Sequence, residues 1–266
     1  MSELKDLIGE AKGTSNLFSL AGKKALVVGG NKGLGQAMSL AFAASGADVC
    51  IAARGPDGLK ETADAVTSLG RKGMSVAVDV TTEQAVEDLI AKTVEGLGGI
   101  DILVNSQGIA YLEPSENFDM DQWDKVMNVN LKSMVMTCKH AGRVMLKQGK
   151  GKIINISSVR GFQGRIGDLA YAPSKGAVNQ LTHSLAIEWG PKGINVNAIA
   201  PTFFKTYISA NILEDPEKAK WVLSRIPMGR VGNVVDMFGP AVFLASEASN
   251  FVNGHVLMVD GGWMSA

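Results

Sequence analysis

Short runs of apolar residues alternate along the chain with longer segments whose apolar positions recur at helical spacing. Apolar runs of four to six residues, bounded by glycine or polar residues, are typical of strands that are buried on both faces. The predicted strands are 25–28, 48–53, 74–78, 100–105, 152–157, 194–199 and 255–259. The predicted helices between them are 34–44, 59–69, 83–95, 121–147 and 171–189.

This alternation predicts a single-domain α/β fold of the doubly wound (Rossmann) type. Right-handed crossovers would assemble a parallel seven-stranded sheet with helices on both faces. Residues 1–22 are predicted to form an N-terminal extension and residues 23–266 the Rossmann domain. Residues 203–231 interrupt the alternation after a late strand, and ligands bind at the carboxyl ends of such strands. We therefore expect residues 203–231 to form a substrate lid.

Composition and charge exclude several classes of protein. Lys plus Arg and Asp plus Glu both number 26, which argues against a nucleic-acid binder that works through bulk positive charge. No apolar run approaches 18 residues, so no membrane span is predicted. The charged start of the chain lacks an apolar signal core, which favours a cytoplasmic protein. His140, His183 and His255 have no partner at metal-ligand spacing, and we predict no metal site.

A glycine-rich loop follows the first predicted strand and opens a helix. Its sequence is G-G-N-K-G-L-G, from Gly29 to Gly35. Gly29 would let the strand turn sharply, Gly33 would let the backbone approach a pyrophosphate, and Gly35 would allow close packing of helix on strand. Because a helix N-terminus presents free N–H groups and a positive dipole end, the loop predicts a dinucleotide site.

One helix is predicted to carry an acid–base pair. Tyr171 and Lys175 are four residues apart and therefore share a helix face. A free tyrosine has a pKa of about 10, too high for a base at neutral pH. An adjacent ammonium favours the phenolate, so we expect Lys175 to lower the pKa of Tyr171. Tyr171 could then take a proton from an alcohol or give one to a ketone.

The G-x-x-x-G-x-G spacing, together with Tyr171-x-x-x-Lys175, resembles the short-chain dehydrogenase/reductase family over residues 20–262. The resemblance implies a catalytic tetrad of Asn130, Ser158, Tyr171 and Lys175. Ser158 precedes Tyr171 by the family's spacing, and its hydroxyl would hydrogen-bond the substrate oxygen as charge develops. Ser157 should alternate toward the other face of the strand. In the family, the residue at the position of Asn130 bends a long helix and holds a water that links the lysine to solvent.

The resemblance also implies a nicotinamide cofactor. An acidic residue usually reads the ribose of NAD after the second strand, but this chain has Ala53 there, followed by Arg54. Arg54 and Lys32 could pair with a 2′-phosphate, so we expect NADP(H) to be preferred over NAD(H). The expected cofactor-binding residues are Gly29, Asn31, Lys32, Gly33, Leu34, Gly35, Arg54, Asp79, Val80, Asn105, Gly108, Tyr171, Lys175, Pro201 and Thr206.

Three positions depart from the family pattern. Val28 stands where a threonine is usual, Gln107 where an alanine is usual, and Thr202 where a glycine is usual. These departures affect the geometry of the cofactor loops. None of them removes a group of the predicted tetrad.

Three stretches are most similar to gluconate 5-dehydrogenase-like members: residues 16–23, residues 197–201 with 204–206, and residues 251–255. This similarity implies a sugar acid or polyol as substrate. A buried carboxylate needs a cation, and the expected substrate residues are Arg160, Arg165 and Phe203. Two alternatives stay open: a reductase of 3-oxoacyl thioesters or hydroxysteroids, and a cofactor-binding regulator without turnover. We expect a homotetramer, as is common in the family.

Overall fold

Seven parallel strands form the sheet at the centre of the molecule, in a computed structural model that describes residues 11–207 and 209–266. The spatial order of the strands is β3-β2-β1-β4-β5-β6-β7. This order confirms the predicted doubly wound α/β fold. The strands are β1 (Lys24–Val28), β2 (Asp48–Ala53), β3 (Gly73–Ala77), β4 (Ile102–Asn105), β5 (Gly151–Ile156), β6 (Ile194–Pro201) and β7 (Val256–Val259).

Nine α-helices are described between and after these strands. They are α1 (Gly33–Ala44), α2 (Leu59–Ser68), α3 (Glu83–Leu97), α4 (Met120–Met127), α5 (Ser133–Gln148), α6 (Tyr171–Trp189), α7 (Ala210–Leu213), α8 (Pro216–Ser224) and α9 (Phe238–Ala245). The single long helix predicted over 121–147 is α4 and α5, joined by a π-helical turn, Asn128–Lys132. Helix α9 was not predicted, because its sequence is almost wholly apolar and shows no helical stripe.

Each face of the sheet is covered by its own apolar core. On one face, α1, α2 and α9 bury Phe42, Val66 and Leu244 against the sheet. On the other, α3, α5 and α6 bury Leu89, Met145 and Trp189. Full burial of one such side chain contributes about 1.5–3 kcal/mol. Because both faces are covered, the strands read as continuous apolar runs.

The last residues of the predicted N-terminal extension, residues 1–22, already belong to the packed core. Its first ten residues, where Leu4, Leu7 and Ile8 suggest a helix, lie outside the described residues. Thr14–Phe18 form a 3₁₀ turn. Leu20 is fully buried, and its N–H donates to the carbonyl of Ser45. In the described part of the chain, no helix is long and apolar enough to cross a membrane.

Candidate active site

The glycine loop lies between β1 and α1, where the order of the sheet reverses between β1 and β4. Gly29 has a φ of +78°, which an L side chain rarely adopts. A Cβ at Gly35 would lie 2.1 Å from the carbonyl oxygen of Gly29, so helix and strand are in backbone contact there. The N–H groups at the start of α1 therefore face the crevice in which dinucleotides bind.

Two exposed cations border this loop. Lys32 precedes α1, and its ammonium lies 4.0 Å from the ring centre of Tyr207. Arg54 follows β2 and is also exposed. Thr206 contacts the loop, since a Cβ at Gly33 would lie 3.6 Å from its methyl group. The structure thus brings residues from three separate segments to one side of the cleft.

The remaining expected cofactor residues differ in what their side chains can reach. Asn31 donates its amide to the carbonyl of Asp57 at 2.8 Å, which ties the loop to the segment after β2. Asp79 is exposed after β3, and Val80 beside it is buried. Leu34 lies in the first turn of α1, and Pro201 ends β6.

The side chain of Asn105 does not face the cleft. It is fully buried and donates to the side-chain oxygen of Asn155 at 2.9 Å. Its own oxygen accepts from Thr137 at 2.6 Å. Only the backbone of Asn105 is left to border the loop, and the side chain ties β4 to β5 and α5.

Tyr171 and Lys175 begin helix α6, as the spacing predicted. The Lys175 ammonium is buried and donates to the carbonyl of Ile156 at 2.7 Å. Burial lowers the pKa of Lys175 to about 8, because charge is disfavoured away from water. A proton can therefore leave or reach this ammonium near neutral pH.

The pKa of Tyr171 lies above its ordinary value, which differs from the predicted lowering. Burial of the phenol raises it, and a hydrogen bond with Ser158 lowers it by less. Lys175 lies over the ring, 5.6 Å from its centre. Desolvation of the phenolate therefore outweighs the lowering of the pKa by Ser158, Arg165 and Arg160.

Ser158, and not Ser157, is the serine whose hydroxyl hydrogen-bonds Tyr171. The hydroxyl oxygen of Ser158 accepts the N–H of Arg160 at 3.1 Å. Ser157 donates to the side chain of Asn179, which lies eight residues after Tyr171 on α6. The two serines therefore have separate roles: Ser157 ties the end of β5 to α6, and Ser158 is the hydroxyl next to Tyr171.

Asn130 is buried in the π-helical turn and braces the loop after β4. Its oxygen accepts the N–H of Ile109 at 2.8 Å, and its amide donates to the carbonyl of the same residue at 2.9 Å. The amide also donates to Ser174 at 3.1 Å. A Cβ at Gly108 would lie 3.5 Å from the Asn130 oxygen and 3.6 Å from the Lys175 nitrogen. The small Gly108 therefore lines the space between these two polar groups.

Asp168, which was not predicted as a site residue, changes the role expected for Arg165. Asp168 has a fully buried side chain that accepts the N–H of Ala172, in the first turn of α6, at 3.2 Å. Its other carboxylate oxygen lies 3.8 Å from Arg165. Arg165 therefore already faces an anion of this chain. An aspartate three residues before Tyr171 is a recognisable helix-start signal.

An aromatic cluster lies beside the tetrad, under the predicted lid. Trp263 is 1% exposed. Phe203 lies 5.7 Å from it and Trp221 of α8 lies 5.8 Å from it, between ring centres. Val159, next to Ser158, belongs to the same apolar cluster. Trp263 was missed because nothing near it in sequence marks it as part of the site.

Comparison with known proteins decides the family. A family model described as "Enoyl-(Acyl carrier protein) reductase" matches residues 28–264. The chain belongs to the short-chain dehydrogenase/reductase family. It is an oxidoreductase that acts on CH–OH groups.

Members of the family with high similarity share most of the chain. A 2-dehydro-3-deoxy-D-gluconate 5-dehydrogenase of Bacillus subtilis (strain 168) is 47% identical over 93% of this chain and 97% of its own length. A gluconate 5-dehydrogenase of Gluconobacter oxydans (strain 621H) is 39% identical over 93% and 96%. The structure of a gluconate 5-dehydrogenase from Burkholderia cenocepacia J2315, in complex with NADP and tartrate, superposes with a TM-score of 0.91. That protein is 36% identical, and the match covers 94% of this chain and 98% of that one.

The three departures from the short-chain dehydrogenase/reductase pattern are accommodated next to the site. Gln107 donates its amide to the hydroxyl of Ser133 at 3.0 Å, at the start of α5. Val28 is buried in the sheet. The hydroxyl of Thr202 is buried and has no hydrogen-bond partner among the described residues. Gln107 thus adds a hydrogen bond between the loop after β4 and the start of α5.

His140 lies outside this site and has partners that its sequence neighbours did not reveal. Its imidazole lies 2.9 Å from Glu83 and 3.6 Å from Glu87, both on α3. Lys139 also pairs with Glu83, and this pairing lowers the pKa of the Glu83 carboxyl to about 2. The group links α3 to α5 as an ion-pair cluster.

Proposed function

We propose that this protein is an NADP(H)-dependent dehydrogenase that interconverts a secondary alcohol and a ketone of a sugar acid. The observation that carries the proposal is the meeting of Ser158, Tyr171 and Lys175 beside the glycine loop. Loss of Tyr171 or Lys175 would have favoured a regulator without turnover. Both are present in a shared cleft, which supports catalysis.

In ketone reduction, Tyr171 donates its phenolic proton to the carbonyl oxygen as the alcohol forms. Ser158 donates a hydrogen bond to the same oxygen and stabilises the charge that develops on it. In alcohol oxidation the proton moves the other way, from the hydroxyl to Tyr171. When bound, the nicotinamide supplies or accepts the hydride at the reacting carbon.

Lys175 and Asn130 serve proton exchange between Tyr171 and solvent. A pKa of about 8 allows Lys175 to hold or release a proton near neutral pH. Asn130 keeps the loop at Ile109 in place through two hydrogen bonds. The space that Gly108 leaves open between Lys175 and Asn130 suits a bridging water.

The residues around the glycine loop fit a dinucleotide. The backbone contact at Gly35 and the positive φ of Gly29 leave room for a pyrophosphate at the start of α1. Asp79 and Val80 would meet the adenine, and Thr206 and Pro201 the nicotinamide end. The backbone at Asn105 and the small Gly108 would border the riboses.

Preference for NADP(H) rests on charge. Ala53 ends β2 without a carboxylate that would repel a 2′-phosphate. Lys32 and Arg54 are exposed at the same end of the cleft, and both can pair with that phosphate. The NADP in the Burkholderia cenocepacia structure is consistent with this preference.

A sugar acid is the substrate that the relatives support. The names of the Bacillus subtilis and Gluconobacter oxydans enzymes specify gluconate or its dehydro-deoxy derivative. Apolar ketones, such as the ketones related to hydroxysteroids or 3-oxoacyl thioesters, are the second candidate substrates. The observation that favours them is the aromatic cluster of Phe203, Trp221 and Trp263 beside Ser158.

We also infer that residues 203–231 act as the lid of a single domain over 23–266. Helices α7 and α8 lie in this segment, and Val222 and Ile226 pack it onto Trp263. The protein would work in the cytoplasm as a homotetramer.

A substrate panel tests the proposed function. The full-length protein is mixed with NADPH or NADH and with 5-keto-D-gluconate, D-fructose or a steroid ketone, and oxidation of the cofactor is followed by absorbance. We expect reduction of 5-keto-D-gluconate with NADPH. Reduction of the steroid alone would favour the second candidate. No turnover of any ketone with either cofactor would contradict the proposal.

A further inference from the structure

Two arginines from distant parts of the chain lie against one buried indole. The guanidinium carbon of Arg160 lies 5.4 Å from the ring centre of Trp263, and that of Arg225 lies 5.5 Å from it. Gln163 accepts the indole N–H at 3.0 Å and holds the ring in place. The indole is therefore a rigid platform for two cations.

Neither arginine at this platform forms an ion pair within the described part of the chain. Among residues 11–207 and 209–266, no carboxylate lies within ion-pair distance of Arg160 or Arg225. Arg160 is 8% exposed and donates one N–H to the carbonyl of Gly164 at 3.2 Å. Its other terminal nitrogen is buried and has no partner among the described residues.

A buried cation without an anion is costly, and a second cation nearby raises the cost. Burial lowers the pKa of Arg160, the positive charges of Arg165 and Arg225 add to this lowering, and Asp168 and Tyr171 offset part of it. Arg165 differs because Asp168 lies 3.8 Å from it. A bound anion would offset the charge of Arg160 and Arg225 and satisfy the free N–H groups.

We propose that Arg160 and Arg225 clamp the carboxylate of the substrate on the Trp263 platform. This inference rests on the proposed function and identifies the side chains that select a sugar acid. Arg160 lies two residues after Ser158, and its guanidinium lies against the ring of Trp263. The carbonyl that reacts at Ser158 and the carboxylate held by the arginines would thus belong to different ends of one substrate. Because Arg225 directly follows α8, the bound carboxylate also holds the lid against the site.

Two arginine variants and one matched control test the clamp. Arg225→Gln changes an exposed residue, and Arg160→Gln keeps a hydrogen-bonding side chain at the buried position. The control is Lys220→Gln, which removes an exposed positive charge from the same lid helix. For each protein, KM and kcat are measured with NADPH and either 5-keto-D-gluconate or the uncharged D-fructose.

We expect both arginine variants to raise KM for 5-keto-D-gluconate about tenfold, equivalent to about 1.4 kcal/mol. KM for D-fructose and both constants of Lys220→Gln should stay within twofold of wild type. A folded Arg225→Gln variant with the wild-type KM for 5-keto-D-gluconate would overturn the clamp.

A binding measurement separates failure of the clamp from failure of the proposed function. D-gluconate is titrated calorimetrically into the enzyme saturated with NADPH, a pair that cannot react. Weaker binding to Arg160→Gln and Arg225→Gln, but not to Lys220→Gln, supports the clamp even if turnover is not seen. Equal binding to all four proteins contradicts the clamp, while reduction of 5-keto-D-gluconate by wild type would leave the proposed function standing.

Discussion

The ammonium nitrogen of Lys175 lies 5.6 Å from the centre of the Tyr171 ring, over its face. Burial dominates both: it raises the pKa of Tyr171 and lowers that of Lys175 to about 8. Tyr171 is therefore a proton donor at neutral pH, and Lys175 is the group that titrates.

The two directions of the reaction should depend on pH in opposite ways. Ketone reduction needs a protonated Lys175 to restore the proton of Tyr171, so its rate should fall as pH rises through about 8. Alcohol oxidation needs the neutral amine and should rise over the same window. Initial rates from pH 6 to 10 measure both. Lys175→Arg should remove the inflection, because guanidinium stays charged throughout; an inflection that persists would contradict this assignment.

Tyr171→Phe should reduce kcat by at least a thousandfold, because it removes the group that exchanges the proton with substrate. Affinity for NADP⁺ should change by less than threefold, since no phosphate contact is lost. The matched control is Tyr111→Phe, which removes a partly exposed hydroxyl 3.5 Å from Glu113. Activity of Tyr171→Phe within threefold of wild type would rule out the proposed mechanism.

Asn130→Ala should lower both stability and kcat. The substitution removes the hydrogen bonds of Asn130 to the backbone of Ile109 and to the hydroxyl of Ser174. Leaving such buried groups unpaired lowers the free energy of unfolding by about 1–3 kcal/mol. Asn128→Ala is a suitable control, because the Asn128 side-chain oxygen in the same π-helical turn has no partner among the described residues. Thermal unfolding and steady-state rates compare the two. Equal melting temperatures in both variants would show that the brace at Ile109 is unimportant.

The cofactor preference should be reversible by changing two residues. Wild type should bind NADPH more tightly than NADH in fluorescence titrations. Ala53→Asp combined with Arg54→Ala adds an acceptor for the ribose hydroxyl and removes a phosphate partner, so it should favour NADH. Arg54→Ala alone should weaken NADPH binding and leave NADH binding unchanged. Tighter binding of NADH by wild type would refute the preference.

Light scattering at micromolar concentration should give four times the chain mass of 28.0 kDa. Most apolar residues of α5 and α6 are covered within the chain, but Ile187 of α6 is 79% exposed. Phe251 is also fully exposed, and the nearby Asn253 donates to the carbonyl of Ala186. Ile187→Lys should therefore lower the assembled mass, whereas Glu188→Lys should not. A monomer mass for wild type would contradict the tetramer.

Sequence alone determined the features that depend on neighbouring residues. Apolar runs and helical stripes predicted the seven strands and most helices, since burial on both faces leaves a periodic trace in the chain. The glycine loop and the Tyr171–Lys175 pair were also readable, because a tight turn and a shared helix face each need only a few consecutive residues. Helix α9 was not predicted, because its almost wholly apolar sequence shows no periodic pattern.

Tertiary structure alone decided how distant residues act together. Arg160 and Trp263 are separated by 103 positions in sequence, yet they stack because β5 and β7 end at the same edge of the sheet. The π-helical turn at Asn130 likewise joins distant residues, because Asn130 holds the backbone of Ile109 and the hydroxyl of Ser174. The raised pKa of Tyr171 follows from burial, which a residue acquires only when the rest of the chain surrounds it.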